Sequence, residues 1–111
     1  SINEQIYKNS SSNEIYLSKI HIGKYNYLFE DFKIFVESIL SNFNNLFGFI
    51  GIDAILTQDK KIVFLEINPR LTTSYIGLRE SIGINPFSFL QKNISSFNIA
   101  KNKLITLRIS K

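Results

Sequence analysis

The most regular feature of the chain is a run of apolar residues at helical spacing. Phe32, Phe35, Val36, Ile39, Leu40, Phe43 and Leu46 recur at steps of three and one, lining one face of a helix over residues 29–46. Glu30 and Asp31 stand near its start, where negative charge suits the helix dipole, and Asn44-Asn45 with Gly48 mark its end. Elsewhere the pattern is that of strands. Ile15, Leu17, Ile20 and Ile22 form a short β-rich run ending at Gly23, with Ile2–Tyr7 as its hairpin partner and Ser10-Ser11-Ser12-Asn13 as the loop.

Residues 49–57 and 61–67 are β-branched and apolar, separated by Gln58-Asp59-Lys60, which predicts a second hairpin. Pro69 forbids continuation as a central strand. Ser74–Ile82 fits a short helix stopped by Gly83, Pro86 suits the first turn of another through about Ser95, and Lys103–Ile109 reads as a last strand. There is no internal repeat and no interdomain linker, so a single α+β domain over 1–111 is expected, with antiparallel sheet packed against helices.

Composition narrows the chemistry. Of 111 residues, 44% are hydrophobic and ten are Phe, enough for a folded core. Zero Cys excludes disulfides, thiol nucleophiles and thiolate metal sites, and a single His argues against zinc. No apolar run approaches the roughly 18 residues of a bilayer span, and no secretory leader is evident. The net charge of +4 is spread as scattered lysines with no dense basic run, which argues against nucleic acid. The expectation is a cytoplasmic protein with neither nucleic acid nor membrane as partner.

Two of the nine acids stand where acids are costly. Asp53 lies within Phe49-Ile50-Gly51-Ile52-Asp53-Ala54-Ile55-Leu56, and Glu66 within Ile62-Val63-Phe64-Leu65-Glu66-Ile67-Asn68. Burying an unpaired charge in such strands is unfavourable by several kcal/mol. With Asp59-Lys60 as a two-residue loop, Asp53 falls directly opposite Glu66, and Gly51 opposite Asn68. Only an odd slip or a bulge would part the two acids. Facing carboxylates need a cation between them or a shared proton. Asn68 adds a neutral oxygen, giving an all-oxygen set that suits Mg²⁺ or Mn²⁺ together with a phosphate-bearing ligand. Arg70 supplies a planar fork for phosphate or carboxylate, and Thr72, Thr73 and Ser74 bring three hydroxyls to a helix start. An acid in a strand is often only an edge residue paired with lysine, but two on one face followed by Asn68 and Arg70 favour a site. His21, between Ile20 and Ile22, is read as structural.

Gly48-Phe49-Ile50-Gly51-Ile52-Asp53, a hairpin, and then Phe64-Leu65-Glu66-Ile67-Asn68-Pro69-Arg70 resemble the metal-binding half of the ATP-grasp superfamily. The continuation Leu71-Thr72-Thr73-Ser74-Tyr75-Ile76-Gly77-Leu78, with Asn3 and Gln5, is similar to an archaeal carboligase-like branch that includes tyramine–glutamate ligase. The resemblance implies Asp53, Glu66 and Asn68 as ligands of Mg²⁺ or Mn²⁺, with two ions on the ATP phosphates. It also implies Arg70 as the catalytic arginine, and Asn3, Thr72, Thr73 and Ser74 on the nucleotide side. The implied activity is ATP-dependent carboxylate–amine ligation through an acyl phosphate, with a carboxylate and an amine as substrates. The family's phosphate-contacting lysines and glycine-rich flap belong to an earlier lobe. Together with the start at Ser1, this leads us to expect a C-terminal lobe that belongs with an N-terminal lobe of the same chain and is inactive alone.

Two other readings remain open on the sequence. A degenerate ATP-grasp lobe would bind nucleotide or a partner without turnover. A carboxylate-pair hydrolase would be active without ATP.

Overall fold

The computed structural model describes residues 1–90 and 103–109. Within them the element order is β1 (Glu4–Asn9), β2 (Ile15–Ile22), α1 (Phe29–Leu40), β3 (Gly51–Leu56), β4 (Ile62–Asn68), α2 (Tyr75–Ile82) and β5 (Ile105–Arg108). Short 3-10 turns occupy Asn26–Leu28 and Pro86–Leu90. The fold is mixed α+β with antiparallel sheets, as the patterning implied. No helix among the described residues is long and apolar enough to cross a membrane.

The contacts gather the chain into two compact units, Ser1–Tyr27 with Ser74–Lys111, and Leu28–Thr73. The first holds a three-stranded sheet of order β1-β2-β5, antiparallel throughout. Among its described residues Ile20, Ile22 and Ile82 are buried, together with Ser81 and Pro86. Helix α2 lies on β2 and β5. A glycine makes this approach possible, since a Cβ on Gly77 would stand 3.0 Å from Ile22 Cγ1 and 3.2 Å from Ile105 Cγ2. Gly83 ends α2 in the left-handed region at φ 79°, its N–H donating to the Arg79 carbonyl at 2.9 Å. The sequence places that stop correctly. The helix expected from Pro86 begins as a 3-10 turn, and its remainder lies outside the described residues.

The second unit contains α1 and the two-stranded sheet β3-β4. Helix α1 is shorter than the apolar spacing implied, ending at Leu40 rather than near Leu46. The cause is local competition for carbonyls. Asn42 Nδ2 donates to the Ser38 carbonyl at 2.9 Å, Ser41 Oγ donates to the same carbonyl at 2.8 Å, and the backbone closes into Phe43 N–H to Leu40 carbonyl at 2.9 Å. Ser and Asn offer the backbone such alternatives to continued helix. The apolar face of α1 is legible in its exposure: Phe32, Phe35, Val36, Ile39 and Leu40 are half-buried while Lys33, Glu37 and Ser38 are exposed.

The β3-β4 hairpin departs from the expected geometry twice. Its turn is not a two-residue Asp59-Lys60 loop. Leu56 pairs with Ile62, and Thr57 N–H donates to the Lys61 carbonyl at 2.9 Å across a three-residue connection. Lys60 sits in the left-handed region at φ 62°, with its N–H donating to the Thr57 carbonyl at 3.0 Å. Such loops combine a type I turn with a left-handed residue, and this shifts pairing by one residue from the two-residue case. Farther along, Ala54 pairs with Phe64 but Asp53 pairs with Glu66. Leu65 is therefore an extra, bulged residue in β4. The bulge cancels the shift, and beyond it Ile52 faces Ile67 and Gly51 faces Asn68, in the register expected from the carboxylates.

Candidate functional site

The site is built on the open end of the β3-β4 hairpin. Asp53 and Glu66 are direct cross-strand partners, and Gly51 and Asn68 are the next pair on the same face. Asn68 ties this face together. Its amide nitrogen donates to Glu66 Oε1 at 2.9 Å and reaches Asp53 Oδ2 at 3.4 Å. The Asn68 hydrogen bond is the main reason that the Glu66 carboxyl is held below its ordinary value of 4.5. A hydrogen bond with Asp53 and the nearby Arg70 charge push in the same direction against a small desolvation cost. Asp53 and Asn68 are half-buried, whereas Glu66 is open to solvent.

Pro69 ends β4, and the chain folds back at once, with Arg70 N–H donating to the Asn68 carbonyl at 2.8 Å. This turn carries the guanidinium back to the strand end. Arg70 Nη2 donates to Asn68 Oδ1 at 3.1 Å, and Nη1 to the Leu71 carbonyl at 3.2 Å. Thr72 closes over the same end: a Cβ on Gly51 would stand 2.7 Å from Thr72 Cγ2 and 3.6 Å from Asn68 Cβ. Gly51 thus makes room for the threonine beside the Gly51–Asn68 pair, a contact that sequence spacing alone does not reveal.

Five of the expected residues, Asp53, Glu66, Asn68, Arg70 and Thr72, are brought together in this way. Thr73 is exposed in the turn leading to α2. Ser74 and Asn3 belong to the other unit. Ser74 precedes α2 with helical φ and ψ and makes no side-chain capping bond. Asn3 Oδ1 accepts from Gly23 N–H at 3.0 Å and from Ser1 Oγ at 2.6 Å, joining the ends of the β1-β2 hairpin.

Among the described residues no three His, Cys, Asp or Glu side chains cluster, so a cation would depend on the two carboxylates and the Asn68 oxygen. These donors fit a hard cation of the Mg²⁺ or Mn²⁺ type, which takes few protein oxygens and completes its shell with water and phosphate.

A second polar row crosses the other sheet, where Glu4, His21 and Thr106 are paired in register on β1, β2 and β5. His21 Nδ1 is hydrogen-bonded to Thr106 Oγ1 at 2.9 Å, and its Nε2 lies 3.9 Å from Glu4 Oε2. Tyr25 OH donates to Glu4 Oε1 at 2.9 Å, and that bond raises the phenol above its ordinary value. His21 thus stands between Glu4 and Thr106 in this row.

Comparison with protein families gives one result. A model described as the ATP-grasp domain matches residues 1–74, a stretch that contains Asn3 and every residue of the hairpin site. No curated protein and no solved structure gives a significant match. With most of its length matched, including the strand pair that carries Asp53, Glu66 and Asn68, the chain belongs to the ATP-grasp family, whose members are typically ATP-dependent ligases that bind ATP with Mg²⁺ or Mn²⁺.

Proposed function

We propose that the chain supplies the metal- and phosphate-binding part of an ATP-dependent carboxylate–amine ligase. The observation that carries this reading is the Asp53–Glu66 pair, bridged by the Asn68 amide that also holds Arg70. Two facing carboxylates and one amide oxygen are too few for a closed structural cage and leave room for phosphate oxygens, as a Mg²⁺–nucleotide site requires.

Asp53, Glu66 and Asn68 would hold Mg²⁺ or Mn²⁺, two ions in this reading, together with ATP. The metal would supply neutralisation of charge on the transferring phosphoryl group. Arg70 would bind and orient that group or the substrate carboxylate through its fork. Thr72 stands beside them, and Asn3, Thr73 and Ser74 are the further nucleotide-side contacts of this reading. ATP would phosphorylate a carboxylate to an acyl phosphate, and an amine would then displace phosphate to leave an amide. The Leu71–Leu78 segment favours the carboligase-like branch that includes tyramine–glutamate ligase. In that reading the chain is a C-terminal lobe working with an ATP-binding lobe that carries the lysines and flap.

The test is ADP release by a protein that carries this chain together with its ATP-binding lobe. Release should require Mg²⁺ or Mn²⁺, an acid and an amine, and Glu66→Gln should nearly abolish it. Unchanged turnover in that variant overturns the metal assignment. Nucleotide binding without release under any acid–amine pair would favour a degenerate lobe.

A further inference from the structure

Asn68 stands between neighbours with opposite requirements. The carboxyl oxygens of Asp53 and Glu66 that face Asn68 accept hydrogen bonds, and the Arg70 guanidinium only donates them. The amide satisfies both sides by one orientation. Its nitrogen points at the carboxylates, at 2.9 Å from Glu66 Oε1 and 3.4 Å from Asp53 Oδ2, and its oxygen accepts from Arg70 Nη2 at 3.1 Å. The second guanidinium nitrogen is occupied by the Leu71 carbonyl at 3.2 Å. In this orientation the Asn68 nitrogen does for the carboxylate pair what a cation would do, bringing positive hydrogens to both.

A cation at the pair inverts the requirement on the amide. A hard cation binds the amide through oxygen, because the planar nitrogen carries two hydrogens and has no lone pair to offer. Turning Oδ1 toward the carboxylates turns the NH₂ group toward the guanidinium, donor against donor. The Arg70–Asn68 bond cannot survive that rotation.

We propose that Asn68 is a two-position latch, in which cation binding at Asp53 and Glu66 and the Arg70–Asn68 hydrogen bond exclude one another. Loading the cation then frees the Arg70 fork for an anionic group, a phosphoryl or carboxylate oxygen. The proposal rests on the metal-binding reading of the same carboxylate pair and adds an order of assembly to it: cation first, arginine second. Linkage makes the coupling reciprocal, so an anion that draws Arg70 off Asn68 tightens the cation.

Two measurements on the labelled chain test this. In an NMR titration with Mg²⁺, the carboxyl carbons of Asp53 and Glu66 report cation binding, and the Arg70 guanidinium nitrogens report release. Both should move together. In Asn68→Asp, which offers oxygen in either rotation, Mg²⁺ should bind while the Arg70 signals stay in place. The second measurement is a cycle of Mn²⁺ affinities read from the spin resonance of the free ion. Arg70→Ala relieves charge repulsion in any background but releases the latch only where Asn68 is present. It should therefore tighten Mn²⁺ about fivefold more with Asn68 than in the Asn68→Asp background. If Mg²⁺ moves the carboxyl signals and leaves Arg70 unchanged, or if the cycle is additive, the latch is overturned and the metal site stands. If Mg²⁺ moves neither carboxyl, both are overturned.

Discussion

Asp53 faces Glu66 across the hairpin through two irregularities that cancel: a left-handed Lys60 that shifts the turn by one residue, and a bulged Leu65 that shifts the strand back. Without the bulge, the pairing set by Leu56 and Ile62 would place Asp53 opposite Leu65, and Glu66 opposite Ile52 on the other face. It is thus the bulging of Leu65, and not its side chain, that keeps Glu66 on the face of Asp53: a regularly paired Leu65 would turn Glu66 to the other side. Deleting Leu65 joins Glu66 directly to Phe64 and leaves Asp53 as the next facing residue. We expect deletion of Leu65 to preserve the Asp53–Glu66 cross-strand contact, read as a backbone NOE. Deletion of Ile67 should instead move Asn68 off the carboxylate face and weaken Mn²⁺ binding by about tenfold or more.

The Glu66 carboxyl gives a pH prediction with a definite sign. Its value is depressed in the folded chain, first by Asn68. The associated stability is present above the ordinary carboxylate value of 4.5 and is lost as pH falls through the depressed folded value. Asn68→Leu removes the principal cause. Carbon-detected titration should show the Glu66 midpoint moving up toward its ordinary value, and the stability of this variant should depend less on pH below that point. A midpoint unmoved by the substitution would mean that Asp53 and Arg70 alone hold it down.

Gly51 and Thr72 form a steric pair. Gly51→Ala would place a methyl 2.7 Å from Thr72 Cγ2, on a β-branched side chain with little rotamer freedom. We expect a loss of about 1–3 kcal/mol, the usual range for overpacking, in chemical denaturation. Removing the obstructing methyl with Thr72→Ser in the same chain should recover most of it. Equal loss with and without Thr72→Ser would place the strain elsewhere.

The turn gives a prediction of opposite sign. Lys60 pays for a left-handed backbone that glycine adopts freely, at about 1–2 kcal/mol against an entropic cost of roughly 0.5–1 kcal/mol for glycine. Lys60→Gly should stabilise the chain by about 0.5 kcal/mol, visible as a small rise in the denaturation midpoint. Lys60→Val should lower it.

Much of the site was legible in advance because its signals are local or periodic. Carboxylates in apolar strands announce a pairing, Pro69 announces a strand end, and Gly83 announces a helix stop. The turn was harder. Gln58, Asp59 and Lys60 contain no Gly or Asn to mark the left-handed position, and a lysine there carries no sequence signal. The bulge hides for another reason: Ile62 to Leu65 are all apolar, so no alternation exists from which a skipped residue would stand out. Phe43 and Leu46 continue the apolar spacing past the end of α1, because Ser41 and Asn42 donate to the Ser38 carbonyl before that spacing runs out. The Thr72–Gly51 contact spans a turn of unusual tightness, and neither residue signals it alone.

Gly77 has a consequence for how α2 can be placed. A helix that rests on strands through a residue with no side chain is keyed, since Ile76 and Leu78 on either side cannot take its position against Ile22 and Ile105 without driving the helix outward. Neither a one-residue slide nor a partial roll of α2 over β2 and β5 is then open at low cost. Gly77 therefore fixes α2 on these strands by indexing, a constraint on position that burial alone does not supply.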